Sequence, residues 1–332
     1  MDPARFAELT EAVEGQLRRV IVGQDDLVRD VLACLFAGGH VLLEGVPGLG
    51  KTVLLRTLAS ALSLDSTRLQ CTPDLLPADV VGTTVLGDPS AGGAWATSFE
   101  PGPVFTQLLL ADELNRATPK TQSALLEAMA ERRVTVAGVT RALPEPFFVM
   151  ATQNPIEMEG TYPLPEAQLD RFLAKVLVST PSADDLVEIL ARTTGTTEAS
   201  VEPVASSADL LAAIHLVREV PIASHVMRHV ADLVEATHPD RPSAPDPVKR
   251  YVAHGASPRG GQSLVLTAKV RALFDGRLQA ASEDVRAAAG PCLRHRLVLG
   301  YEALVSGVTP DDVVTAVLER VPAPAPPVAG VS

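Results

Sequence analysis

Val41-Leu42-Leu43-Glu44-Gly45-Val46-Pro47-Gly48-Leu49-Gly50-Lys51-Thr52 asks for a strand, a phosphate-holding loop and a helix start, in that order. His40 to Leu43 suits a buried parallel strand, and Gly45, Gly48, Gly50, Lys51 and Thr52 complete G-x-x-x-x-G-K-[ST]. The glycines let the backbone curl so that successive N–H groups point at phosphate oxygens. A helix expected over 53–62 adds the positive end of its dipole. Lys51 is then expected on the β- and γ-phosphates and the Thr52 hydroxyl on Mg²⁺. A chance glycine-rich turn explains neither the strand before the loop nor the apolar helix after it.

Two further strand ends supply the rest of a phosphoryl-transfer site. Residues 105–113 form an apolar strand ending in Asp112 and Glu113. Parallel to the P-loop strand, it delivers Asp112 to the carboxyl edge of the sheet, where it can hold the metal's water shell, and Glu113 can deprotonate water. An Asp-Glu pair can also be a helix cap and first-turn acid, but the apolar run before it favours the catalytic reading. Phe147–Thr152 is a third buried strand closed by Gln153-Asn154-Pro155. Asn154 there can hold the attacking water; the plain alternative is an Asn-Pro turn.

Around these strands the reading is mostly helical. An amphipathic helix over 4–19 precedes Val20-Ile21-Val22-Gly23-Gln24, whose apolar Val22 and Gly23 can wall an adenine pocket or simply turn the chain into a helix at Asp25–Phe36. A strand is expected over 68–71 and a helix or turn over 75–81. Residues 82–103, dense in Gly and Pro, predict a hairpin with its turn at 88–93 and Trp95 just beyond. A helix over 118–131 leads to a second hairpin at 132–144, with Ala137-Gly138-Val139 as its turn. Its paired Arg132 and Arg133 can touch nucleic acid or a neighbouring subunit's nucleotide, but for at least one of them the simpler reading is a solvated side chain. Arg171 can serve a transition state in cis or from a neighbour, or merely pair with Asp170 or Glu166.

From residue 179 the pattern predicts an all-α domain to 320, with helices near 184–193, 207–220, 222–237, 262–275 and 282–294. Within it Ser257-Pro258 opens a helix and puts Arg259 in the first turn, a cation suited to an external anion. The tail 321–332 carries Pro322, Pro324, Pro326 and Pro327 and is expected to be extended and disordered.

Composition bounds the function. A chain of 332 residues exceeds the roughly 250–300 that one core supports, so two domains are expected. With 28 basic against 40 acidic side chains, net charge −12, an electrostatic grip on nucleic acid or an anionic membrane is disfavoured. Cys34, Cys71 and Cys292 have no metal-ligand spacing and read as reduced thiols. No leader, long apolar span, Gly-x-Ser-x-Gly, His-Glu-x-x-His or Cys-x-x-Cys pattern occurs, so the expectation is a cytoplasmic protein without triad or zinc chemistry.

Taken together these residues resemble the MoxR family of AAA+ ATPases. Gly45 to Thr52 resembles its Walker A motif, Leu109 to Ala117 its Walker B and Ala151 to Pro155 its sensor 1. The stretches Lys120–Met129 and Gly160–Phe172 follow that family's pattern almost continuously. The resemblance spans about Val20 to Arg320. It implies an α/β fold: an αβα nucleotide-binding domain with a parallel sheet over 1–178, carrying both hairpins as insertions, then a helical lid over 179–320. It implies ATP and Mg²⁺, with Glu113, Asn154, Arg171 and Lys51 in catalysis and Thr52 and Asp112 at the metal. Nucleotide contacts are expected from Val22, Gly23, Gly45, Val46, Pro47, Gly48, Leu49, Gly50, Lys51, Thr52, Val53 and Arg259. Arg171 resembles the arginine finger, with Arg116 a rival, and Arg259 the sensor 2 arginine. A finger acting in trans implies a homo-hexameric ring. The resemblance further implies a chaperone-like remodeller with a von Willebrand factor A domain partner and a protein client, acting in metal-cofactor insertion or complex maturation. The rivals are a nucleic-acid-dependent motor, against the net charge, and an ATP-binding switch or scaffold, against the intact Glu113. Magnesium insertion into a porphyrin follows by fold analogy alone.

Overall fold

A computed structural model describes residues 1–46, 48–86, 97–155, 160–195 and 199–324. Pro47, the expected turn at 88–93, Trp95 and tail residues 325–332 lie outside the described residues. Contacts divide the chain into two compact units. The larger comprises Leu9–Phe172 and Val176–Ala212, the smaller Met1–Glu8, Leu173–Lys175 and Ala213–Ser332. This division differs from the sequence boundary at 178, because helix Ala183–Thr193 stays with the larger unit. There Arg192 Nη1 donates to the carbonyls of Arg18 and Arg19 at 3.2 and 2.8 Å.

The strands in chain order are β1 (Val41–Glu44), β2 (Ser66–Gln70), β3 (Gly82–Leu86), β4 (Thr97–Pro101), β5 (Leu108–Asp112), β6 (Arg133–Val136), β7 (Val139–Ala142), β8 (Phe148–Gln153) and β9 (Ala174–Leu177). A five-stranded sheet has the order β2-β5-β8-β1-β9, and its pairs β2–β5, β5–β8 and β8–β1 are parallel. Val41–Leu43, Leu108–Ala111 and Val149–Ala151 are fully buried, as strands covered on both faces must be. Register then brings Glu44 beside Gln153 and Gln70 beside Asp112, so the ends of β1, β2, β5 and β8 meet at one edge.

His40 fastens the opposite edge of this core. Its Nδ1 accepts from the Val149 N–H at 3.0 Å, which leaves Nε2 to donate to the Met129 carbonyl at 3.2 Å. Burial pushes its pKa down to about 4.

Both expected hairpins form. β3 pairs antiparallel with β4 and β6 with β7. The second turn is tighter than expected: Ala137 and Gly138 (φ +50° and +77°) make the two-residue connection, and Val139 is already in β7. Arg132 is not in the strand but caps helix Pro119–Glu131 at φ +52°, with Nη2 on the Gly38 carbonyl at 2.8 Å. Arg133 pairs with exposed Glu131 at 3.2 Å. The hairpins touch: the Arg141 guanidinium lies 3.8 Å above the Phe99 ring, and Phe99 meets Phe105 edge-on.

In the smaller unit, helices Ser224–Ala236, Pro258–Phe274, Ser282–Leu293 and Pro310–Arg320 close on a core containing Leu233, Leu264, Leu293 and Val313. The expectation of helices alone needs one correction. β10 (Val252–His254) pairs antiparallel with β11 (Val298–Leu299). Segments of two and three residues are too short to show period-two alternation, so their pairing is invisible in the sequence. Helix Pro310–Arg320 adds to the helices expected from the sequence: Thr309 and Asp312 form its capping box, and the Thr309 backbone and hydroxyl hold the Asp312 carboxyl below its usual range.

Candidate active site

The loop after β1 opens before helix Lys51–Leu62, which begins two residues earlier than the apolar pattern suggested. Gly48 and Gly50 adopt φ +86° and +77°, where a side chain is strained, and a Cβ at either would meet nothing within 4 Å. At both positions it is the backbone conformation, not crowding, that calls for glycine. Gly45 is the opposite case: it is packed so tightly that a Cβ would sit 2.8 Å from Val178 Cβ.

Gly45, Lys51, Thr52, Asp112, Glu113 and Asn154 line one cavity of about 370 Å³, together with Gly48, Gly50, Val53, Arg68 and Thr152. Three strand ends and one helix start thus converge as the sequence predicted. Lys51 Nζ donates to the Gly45 carbonyl at 2.6 Å. Burial pulls its pKa down, while Asp112, Glu113 and Glu44 push it up.

The two carboxylates are held by Arg68, Gln70 and Thr152, to which the sequence assigns no role, and by Arg116. Arg68 Nη2 and Nε donate to Asp112 Oδ2 at 2.6 and 3.2 Å. Thr152 Oγ1 donates to Asp112 Oδ1 at 2.7 Å and accepts from the Glu113 N–H at 2.8 Å. Glu113 itself has φ +56°, uncommon for a non-glycine residue and a form of strain that accumulates at functional sites. Gln70 Nε2 and Arg116 Nη1 both donate to Glu113 Oε2, at 3.0 and 3.1 Å. Arg68 and Gln70 are two residues apart on β2, so one face of that strand addresses both acids. Only the pairing of β2 with β5 reveals this. Cys71, next along, is buried, and burial and then the two acids push its thiol up to about 12, which disfavours the thiolate.

Other expected residues are not among the lining of this cavity. Val22 is buried, and Gly23 (φ +67°) packs against helix Ala183–Thr193 so closely that a Cβ would fall 2.2 Å from Asp185 Cγ. Val46 and Leu49 are half-buried in the loop. Arg171 is not among the cavity's lining. It donates from Nη1 to the Leu126 carbonyl at 2.5 Å and lines a separate cavity of about 670 Å³ with Glu127 and Arg133. Arg259 is an exposed first-turn residue of helix Pro258–Phe274 in the smaller unit, where Ser257 Oγ accepts its N–H at 3.1 Å.

Comparison with known proteins identifies the family. The family model described as ATPase family associated with various cellular activities (AAA) matches residues 40–174, and an AAA lid domain model matches 247–317. Chaperone MoxR1 of Mycobacterium tuberculosis is 43% identical over 309 residues, 93% of this chain and 81% of that protein. The chain belongs to the MoxR family of AAA+ ATPases. Protein MoxR of Methylorubrum extorquens is 35% identical, with 94% of each chain covered. A solved structure of a candidate ATPase from Cytophaga hutchinsonii superposes with a TM-score of 0.90 at 36% identity, covering 97% of both chains.

As a MoxR-family member the protein is a chaperone-like ATPase, it binds nucleotide, and its fold is the AAA+ sheet with a lid. Its oxygen donors also suit Mg²⁺. Thr52 and Asp112 line the same cavity, and among the described residues no group of three His, Cys, Asp or Glu could by itself hold a metal. A small hard cation that keeps water and phosphate ligands needs only such a sparse set. Among the described residues no helix is long and apolar enough to cross a membrane.

Proposed function

We propose that this MoxR-family ATPase works as a homo-oligomeric ring, a hexamer, that spends ATP on remodelling a protein client in the cytoplasm. The observation that carries the reading is the separation of Arg171 from the nucleotide cavity of its own chain. An arginine outside its own site serves catalysis by entering a neighbour's, whereas Arg116 is already engaged with Glu113 of its own chain. AAA+ ATPases are typically oligomeric, which supports the same arrangement.

The proposed roles are these. Lys51 and the loop N–H groups bind the β- and γ-phosphates of ATP, and Thr52 with Asp112 hold Mg²⁺, which neutralises phosphate charge when bound. Val22 and Gly23 wall the base. Asn154 orients a water, and Glu113 takes its proton as the water oxygen attacks the γ-phosphorus. The bond to the β-phosphate oxygen breaks, and ADP and inorganic phosphate leave. Arg171 from the adjacent subunit stabilises the charge on the transferring group, and Arg259 links the lid to nucleotide state. The relative named a chaperone supports a protein client, and the reading extends to complex maturation or metal-cofactor insertion with a von Willebrand factor A domain partner.

ATP turnover across a range of protein concentrations tests the reading. Turnover per subunit should rise as rings assemble, and Glu113→Gln and Arg171→Ala should each abolish it while Glu113→Gln still binds ATP. If both variants turn over ATP like the parent, the protein is an ATP-dependent switch or scaffold instead.

A further inference from the structure

Helix Pro119–Glu131 starts three residues after Arg116 and carries, along one turn, three attachments to the segment that ends in Arg171. Gln122 is fully buried, and its Nε2 donates to the Tyr162 carbonyl at 3.1 Å, to Ala117 at 3.1 Å and to Leu114 at 3.4 Å. Ser123 Oγ accepts from Gln168 Nε2 at 3.1 Å. The Leu126 carbonyl accepts from Arg171. Tyr162 is held from its other side as well, since its N–H donates to the Asn115 carbonyl at 2.6 Å, and buried Asn115 reaches the Asn154 carbonyl through Nδ2 at 3.5 Å.

These bonds form one continuous path. Glu113 and Asn154 face the nucleotide cavity, Leu114 to Ala117 follow Glu113 directly, and Gln122 ties that turn to Tyr162 and so to the strand of chain leading to Arg171. The amide carries this load in a dry interior, where polar bonds are strong and an unpaired partner is costly.

We infer that Gln122 is a positioning residue through which the loop around Glu113 and Asn154 sets the placement of Arg171, so that each subunit controls hydrolysis in its neighbour. The inference rests on the trans role of Arg171 given above. Its signature is asymmetric: loss of Gln122 impairs a subunit as a donor of Arg171 and leaves it competent as an acceptor.

Mixed rings read that asymmetry directly. Gln122→Met keeps the shape and removes the donors. Alone it should bind a fluorescent ATP analogue within about twofold of the parent and hydrolyse ATP at least about tenfold more slowly. Mixed with Glu113→Gln, whose own site is dead but whose Arg171 is intact, its turnover per subunit should recover several-fold. Arg171→Ala mixed with Glu113→Gln is the control. Recovery of the control without recovery of Gln122→Met means Gln122 acts only on its own site and overturns the inference, as does undiminished turnover of Gln122→Met alone. No recovery of the control means the trans role itself has failed, and the inference falls with it. If Gln122→Met lacks cooperative melting, Gln168→Ala, which loosens the same segment at Ser123, is carried through the same mixtures with the same outcomes.

Discussion

Gln70 Nε2 donates to Glu113 Oε2 at 3.0 Å, across the paired ends of β2 and β5. The oxygen it holds belongs to the carboxylate assigned to proton abstraction, and Arg116 holds the same oxygen from the other side. A base engaged by two donors is less available to water. Gln70→Ala should therefore raise basal ATP turnover, on the order of tenfold, because one hydrogen bond to a charged group is removed. Initial rates at saturating ATP measure this; a rate equal to or below the parent's would show that the bond positions Glu113 for catalysis and does not restrain it.

Arg68 occupies Asp112 Oδ2, an oxygen on the carboxylate expected at the metal. Arg68→Gln removes the competing cation while keeping a polar side chain. Mn²⁺ titrated into the ATP-loaded protein and followed by electron paramagnetic resonance should half-saturate at a several-fold lower concentration than in the parent. An unchanged midpoint would mean that Arg68 leaves Asp112 free to bind metal.

His40 should make stability depend on pH. Its folded pKa of about 4 lies below the unfolded 6.5, so the unfolded chain binds the proton more readily. The stabilisation is complete above 6.5 and is lost as pH falls towards 4. Between pH 7 and 5 the parent should lose about 2 kcal/mol more than His40→Gln in urea denaturation. Parallel pH profiles for the two proteins would sink this account.

The contact between Arg141 and Phe99 joins two hairpins that are far apart in sequence. A double-mutant cycle with Phe99→Leu and Arg141→Gln should return a coupling of about 0.5–1 kcal/mol, the range for a partly exposed cation over a ring. Additive effects would show that the hairpins are energetically independent.

Much of this protein was legible from residue types in local patterns. Gly45 to Thr52 specified the loop and its helix. The apolar runs ending at Asp112 and Asn154 specified buried strands, whose parallel packing leaves only one edge for those polar ends. Both hairpins were visible as β-prone segments around turn residues, and the family followed from the same stretches.

Non-local placement was not legible. That Gln70 faces Glu113 and Arg68 faces Asp112 depends on β2 lying next to β5, and a strand's own alternation gives its faces but not its neighbour. That Thr152 bridges the two acids depends on β8 lying on the other side of β5. β10 and β11 carry too few residues for any period. The sequence by itself determined which polar residues meet at the sheet's edge, because strand ends and a P-loop are local. Only the tertiary structure decided which side chains restrain them and that Arg171 sits outside its own site, because pairing and packing join residues whose spacing along the chain carries no signal.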